Sequence, residues 1–334
     1  QAGSRPRKPN VIIVLADDLG WADLACYGHP FHETPNLDRL GSRGMRFTNA
    51  YAASSVCSPT RSSIMTGKYP ARNDLTIWLG GHGGAPAVDH MALAETTIPE
   101  ALKEHGYATA HIGKWHLGGG PYEPQHQGFD INIAGTHAGS PAGGYFLPNT
   151  MRLEGMKPGA YLTDRLTDEC LKIVDQWQDR PFFIYMSYHT VHTPIQGRND
   201  LVDHYRAKLK PGDTYNPTYA GMVHCLDENV GRIVGKLDDL KLADDTVVLF
   251  FSDNGGYSHS RGKKNNVTTN APLRMGKGYC YEGGHREPMI VCYPRMIMSG
   301  SICDTPVVST DFYPTLLELA GVPLLPEQHA DGIS

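Results

Sequence analysis

Val11-Ile12-Ile13-Val14-Leu15-Ala16-Asp17-Asp18 sets five large apolar residues, four of them β-branched, just ahead of a pair of carboxylates. A short apolar run without polar alternation reads as a strand buried on both faces, as in a parallel sheet covered by helices. The same grammar returns in Val247 to Phe251, where Asp253-Asn254 follow after one serine. Two strands therefore deliver three carboxylates and one amide oxygen to their carboxyl ends. In open parallel sheets that edge is where ligands bind. Clustered carboxylates repel, so they need a cation, shared protons or separation. An all-oxygen set points to a hard ion such as calcium or magnesium. Taken singly, such aspartates are more often helix caps and turn residues.

Bases collect at the same edge. Tyr107 to Ile112 reads as a strand and is followed by Gly113-Lys114-Trp115-His116. Phe182 to Tyr188 reads as another, followed by His189-Thr190-Val191-His192-Thr193-Pro194. Leu273-Arg274-Met275-Gly276-Lys277-Gly278 holds a lysine between glycines, with room to approach a ligand. Four strand ends thus send Asp, Asp, Lys, His, His, Asp and Asn toward one crevice. Cys57-Ser58-Pro59-Thr60-Arg61 precedes a short helix-like segment, Ser62 to Gly67. That places the thiol at a helix start, where free N–H groups and the helix dipole favour negative charge. Arg61, one turn on, lies on the same side of that helix.

Strands alternate with helices along the chain. Thr34-Pro35 starts a helix that Gly44 stops, and Thr97 to Gly106 repeats the pattern. Helical spacing also runs through Thr163 to Gln178, Thr218 to Leu240 and Asp311 to Ala320. The expected fold class is α/β, one large domain with a mostly parallel sheet sandwiched by helices. Gly118 to Gly159, dense in Gly, Pro and aromatics, reads as loops.

These motifs together resemble a formylglycine-dependent sulfatase of the alkaline phosphatase superfamily, closest in flavour to bacterial carbohydrate sulfatases. The likeness runs from about Pro9 to Val322. It rests on Asp17-Asp18-Leu19-Gly20, Cys57 to Arg61 with Thr66-Gly67-Lys68-Tyr69-Pro70, Gly113 to Gly118, Asp253-Asn254-Gly255-Gly256, and Gly276-Lys277-Gly278 with Glu282-Gly283-Gly284. The resemblance implies that a maturation enzyme oxidises Cys57 to formylglycine, which acts as its hydrate. It implies that Asp17, Asp18, Asp253, Asn254 and residue 57 hold one divalent cation, Ca2+ with Mg2+ as the alternative. Arg61 would stabilise the hydrate, Lys114 and Lys277 would bind sulfate oxygens, and His192 would protonate the leaving alcohol. His116 would take a proton from the hydrate of the sulfated intermediate and so expel sulfate. His189, His137, Arg198 and His285 are candidate substrate contacts, as are Ser140 and Gln196. Residues 1–8 would be a tail and 9–334 the catalytic domain. Relatives usually continue into a small C-terminal α+β subdomain where this chain ends, which suggests a trimmed chain.

Charge and composition narrow the partners. The chain carries 30 Lys+Arg against 35 Asp+Glu, a net −5, so polyanions such as nucleic acid are not drawn to it nonspecifically. Attraction must be local, from Arg61, Lys114, Lys277, the cation and candidates such as Arg72, Arg261 and Arg274. No apolar run approaches the roughly 18 to 20 residues of a membrane span. The polar, basic start suits a removed leader and a secreted or periplasmic enzyme. Of seven cysteines, six remain once Cys57 is set aside, which permits disulfides without showing them. Asn266-Val267-Thr268 is a glycosylation sequon, meaningful only in a eukaryotic secretory host. The expected substrate is a sulfated carbohydrate ester, in keeping with polysaccharide degradation. The alternatives are a phosphonate or phosphate monoesterase of the same superfamily, and a catalytically silent protein that binds sulfated glycans.

Overall fold

The computed structural model describes residues 8–80, 88–146, 153, 157–260, 263–264 and 267–334. Most of the expected tail, Arg261 and Asn266 of the sequon lie outside the described residues.

β1 (Asn10–Ala16) is buried along its whole length, as its unbroken apolar run predicts. It pairs in parallel with β5 (Phe182–Ser187) on one side and β6 (Thr246–Ser252) on the other. β3 (Ala108–Gly113) continues the parallel order beyond β5. The four strands whose ends carry the site motifs are therefore neighbours, in the order β6-β1-β5-β3. All run the same way, so their carboxyl ends share one edge.

Side chains of β1 divide by the two-residue period of a strand. Ile12 and Val14 pack toward α4 (Leu162–Trp177) and α6 (Pro217–Asp239), while Val11, Ile13 and Leu15 pack toward α3 (Ile98–Lys103) and α8 (Phe312–Leu319). Helices thus cover both faces; α5 (Asn199–Lys208) packs on α6, and α7 (Glu282–His285) is a single turn. The α3 start is a full capping box, Thr97 with Glu100, and α1 (Pro35–Arg43) begins with Pro35 directly after Thr34.

The sheet extends further than the apolar runs suggest. β2 (Met45–Tyr51) and β9 (Arg286–Cys292) pair antiparallel, and β9 is also antiparallel to β6. Short strands β10 (Ser301–Cys303) and β11 (Val307–Val308) pair with β2. One correction concerns the stretch expected to be all loop. β4 (Ile131–Ile133) lies within it and pairs in parallel with β3, since three half-buried residues suffice to edge a sheet. A separate hairpin joins β7 (His259–Ser260) to β8 (Lys263–Lys264). All seven cysteines are unpaired. No helix among the described residues is long and apolar enough to cross a membrane.

Candidate active site

α2 (Cys57–Thr66) begins at Cys57 itself, with Val56 as its cap, and every residue of the helix is buried. Cys57 Sγ lies 3.3 Å from Nδ1 of His116. His116 follows β3 in a left-handed conformation, φ 56°, and its N–H donates to Thr136 O at 3.0 Å. The rotation turns its ring from the sheet edge toward α2. Asp18 (φ 64°) and Met275 (φ 62°) adopt the same uncommon conformation for residues with a side chain. Such backbone is held in place only where the surroundings over-determine it.

Arg61, one turn into α2, is fully buried. Its Nε donates to Asp253 Oδ2 at 2.8 Å, and Nη1 donates to Ser187 Oγ at 2.5 Å and Lys114 O at 2.9 Å. It therefore ties α2 to the ends of β6, β5 and β3. Lys114 Nζ lies 2.6 Å from Asp17 Oδ2, and Lys277 Nζ 2.6 Å from Asp18 Oδ1. Three buried carboxylates thus face three cations. Asn254 Nδ2 donates to Asp18 Oδ1 at 2.8 Å, and the Asp18 N–H donates to Asp253 Oδ1 at 3.3 Å.

The electrostatics follow from burial and sign. Burial pushes the Asp17 carboxyl well above its ordinary range, and the neighbouring Asp253 and Asp18 add to this against the pull of Lys114. Burial acts on Asp18 too, but there Lys277, His192 and Lys114 outweigh it and hold the carboxyl below the usual range. Burial, reinforced by Lys114 and Arg61, holds His116 well down and neutral. Burial brings His192 down to about 3, with Lys277 and Lys114 assisting against Asp18.

Above this charge cluster opens a cavity of about 610 Å³, lined by Cys57, His116, His192 and Lys277 together with Trp78, Leu79, Gly139, Ser140, Tyr257 and Tyr279. The remaining candidates fall elsewhere. His189 is buried with neither ring nitrogen hydrogen-bonded and does not line the cavity. Arg198 is a correction: three carboxylates, Asp164, Asp200 and Glu228, occupy its guanidinium away from the cavity. Gln196 is likewise engaged, its Oε1 accepting from Tyr145 N at 3.0 Å. His285 sits by Ala52 O at 3.1 Å and His137 is exposed, and neither lines the cavity. Of these substrate candidates, Ser140 lines it.

The sequence reading missed the aromatic lining, because isolated aromatics in loops carry no spacing signal. It also missed Glu287 on β9, fully buried with neither carboxyl oxygen hydrogen-bonded. Burial, with Asp253 and Asp18 nearby, pushes its pKa well up. Arg286-Glu287-Pro288 looks like a polar turn in sequence, which hid both the strand and the acid.

The oxygen cluster fits a hard cation. Asp17 Oδ1 and Asn254 Oδ1 are buried without any hydrogen-bond partner. A buried polar atom left unpaired is costly, and coordination to an ion would satisfy both. Carboxylate and amide oxygens are the donors that calcium and magnesium prefer. Ligand atoms of Asp17, Asp18 and His192 also lie within 4.8 Å of one another.

Comparison with known proteins agrees with this geometry. A family model described as Sulfatase matches residues 9–322. N-acetylgalactosamine-6-sulfatase of Sus scrofa is 34% identical over 98% of this chain and 65% of its own length. Arylsulfatase A of Homo sapiens is 35% identical over 98% of this chain and 66% of its own. The chain thus spans just under two thirds of these curated relatives. A solved structure of Ps i-CgsB in complex with k-i-k-neocarrahexaose superposes with a TM-score of 0.84 at 32% identity, covering 98% of this chain and 75% of that one. With the motifs, the fold and these matches in accord, the chain belongs to the sulfatase family.

Proposed function

We propose that this chain hydrolyses a sulfate ester of a carbohydrate, using a modified Cys57 and a divalent cation. The observation that carries the reading is the junction of Cys57 with His116, 3.3 Å apart, at an edge where three carboxylates and three cations converge. The names of the relatives support the ester, and the oligosaccharide in the neighbouring structure supports the carbohydrate.

Asp17, Asp18, Asp253 and Asn254 are the residues that would hold the cation. When bound, calcium or magnesium supplies positive charge against the ester oxygens and the group at position 57. Oxidised to formylglycine by a maturation enzyme, residue 57 would present the two hydroxyls of an aldehyde hydrate, so that nucleophile and later proton source share one carbon. A sulfate ester is anionic and repels anionic nucleophiles, so its charge must be neutralised locally. Lys114 and Lys277, paired with Asp17 and Asp18, would bind its oxygens, and Arg61, which donates to Asp253 from α2, would brace the site beneath it. His116, neutral beside position 57, is able to accept a proton there. His192 reaches into the cavity with Nε2 3.7 Å from Asp18 Oδ2. An anionic ester beside it favours its protonated ring, which suits a donor to the leaving alcohol. Since sulfated polysaccharides lie outside cells, a secreted or periplasmic location fits this substrate.

The test is release of sulfate from a panel of monosulfated sugars and nitrophenyl sulfate, beside nitrophenyl phosphate and phosphonate, with and without chelator. Sulfate release that stops with chelator supports the reading. Preferential turnover of the phosphorus esters, or binding without turnover by protein confirmed as converted at residue 57, contradicts it.

A further inference from the structure

The cavity above Cys57 divides by chemistry. Its charged and ionisable lining, Cys57, His116, His192 and Lys277, belongs to the reacting centre. The rest of the described lining holds no Lys, Arg, Asp or Glu, and its large side chains are Trp78, Tyr257 and Tyr279. Trp78 is 43% exposed, although an indole has much apolar surface to lose from water. Among the described residues its ring stacks on no other.

Trp78 is nonetheless held in place. The next residue, Leu79, donates its N–H to Ser58 Oγ at 3.1 Å, and Leu79 O lies 3.4 Å from Nε2 of His116. Asn73 Nδ2 donates to Ser62 Oγ at 3.0 Å and Thr66 Oγ1 at 2.9 Å, and Leu75 is buried. The strap that carries the indole is therefore clamped to α2 and to the histidine facing Cys57. The tyrosines are anchored comparably. Tyr257 follows the Asp253 to Gly256 loop, and Gly278, between Lys277 and Tyr279, donates to Ser55 O at 2.8 Å. An exposed aromatic face fixed in register with a reaction centre is suited to binding, because little side-chain entropy remains to be lost.

We propose that Trp78, together with Tyr257 and Tyr279, is the platform for the apolar face of a sugar ring that carries the scissile sulfate and no other charge. This deepens the sulfatase reading and rests on it. A pyranose presents C–H groups on one face, which pack against the electron-rich face of an indole. A second sulfate or a carboxylate on the same ring would meet no cationic partner among the described lining residues beyond those that bind the scissile group. Desolvating an unpaired anion is costly, so such rings are disfavoured.

The experiment compares the wild type with Trp78→Ala and Trp78→Phe, measuring sulfate release from a monosulfated galactose, from glucosamine bearing N- and 6-O-sulfates, and from methyl sulfate, which has no ring. For Trp78→Ala, the ratio of kcat/KM on the galactose ester to that on methyl sulfate falls about tenfold, chiefly through KM, and Trp78→Phe recovers most of it. The wild type prefers the monosulfated ring to the disulfated one. An unchanged ratio in both variants, or preference for the disulfated ring, overturns the proposal. Failure of the wild type to release sulfate from any ester, nitrophenyl sulfate included, overturns the hydrolase reading and this one with it. Turnover with an unchanged ratio overturns the platform alone.

Discussion

Cys57 and His116 meet at 3.3 Å although fifty-nine residues separate them, because α2 starts and β3 ends at the same edge of the sheet. A neutral imidazole at that distance can move a proton at position 57. His116→Ala should lower kcat for sulfate release by about 10²- to 10⁴-fold, the range of a lost general base or acid. Its thermal midpoint should stay near that of the wild type. A loss within tenfold would remove His116 from the chemistry.

The unpartnered oxygens of Asp17 and Asn254 predict a stabilising cation. Calcium at a hundred times its dissociation constant should stabilise the fold by about 2.7 kcal/mol, read as a rise in melting temperature. Asn254→Ala should abolish most of that rise. A melting temperature indifferent to calcium, magnesium and chelator would contradict the cation site.

Gly113 shows how backbone positions the chemistry. Its φ is +99°, and a Cβ there would lie 2.0 Å from Ser187 O. That carbonyl accepts the Lys114 N–H at 2.8 Å, while Ser187 Oγ accepts from Arg61. Gly113→Ala should therefore cost about 2 to 4 kcal/mol by denaturant unfolding, from overpacking together with left-handed strain. Turnover should fall with it, because Lys114 moves. Wild-type stability in this variant would show that the contact relaxes freely.

His29 and His32 stack at 3.5 Å between ring centres, and burial brings both down to about 4. The unfolded chain binds protons at these sites below about 6.5, while the folded chain does so only near 4. Stability therefore falls as pH drops through that window, by roughly 2 kcal/mol for the well-buried His32 at pH 5. His29 Nδ1 accepts the N–H groups of Phe31 (3.2 Å) and His32 (2.9 Å), a role that an asparagine oxygen can take over. His29→Asn should keep that turn and flatten the decline in melting temperature between pH 7 and 5. An unchanged slope would mean that His29 does not contribute to acid stability.

The sequence disclosed the centre of the sheet because β1 and β6 are buried on both faces, and only apolar residues satisfy that environment. Thr97, Pro35 and Gly44 marked helix ends, since capping chemistry is local. β2 and β9 were hidden by their composition. Met45 to Tyr51 is mostly half-buried, and Arg286-Glu287-Pro288 opens β9 with two charges and a proline. The candidate site residues were legible as motifs at strand ends, at the α2 start and in one glycine-flanked loop, because each motif is contiguous in sequence. Arg198 misled because its position after His192 says nothing about which carboxylates the fold brings against it. The Trp78 wall left no trace, being an assembly of single loop aromatics that only tertiary structure brings together.

The most direct measurement is sulfate release by protein in which the peptide containing residue 57 has been weighed, beside Cys57→Ala. The account predicts a peptide lighter by the exchange of sulfur for oxygen and the loss of two hydrogens, turnover in proportion to the converted fraction, and none from Cys57→Ala. Turnover by unconverted thiol protein, or by Cys57→Ala, would contradict it.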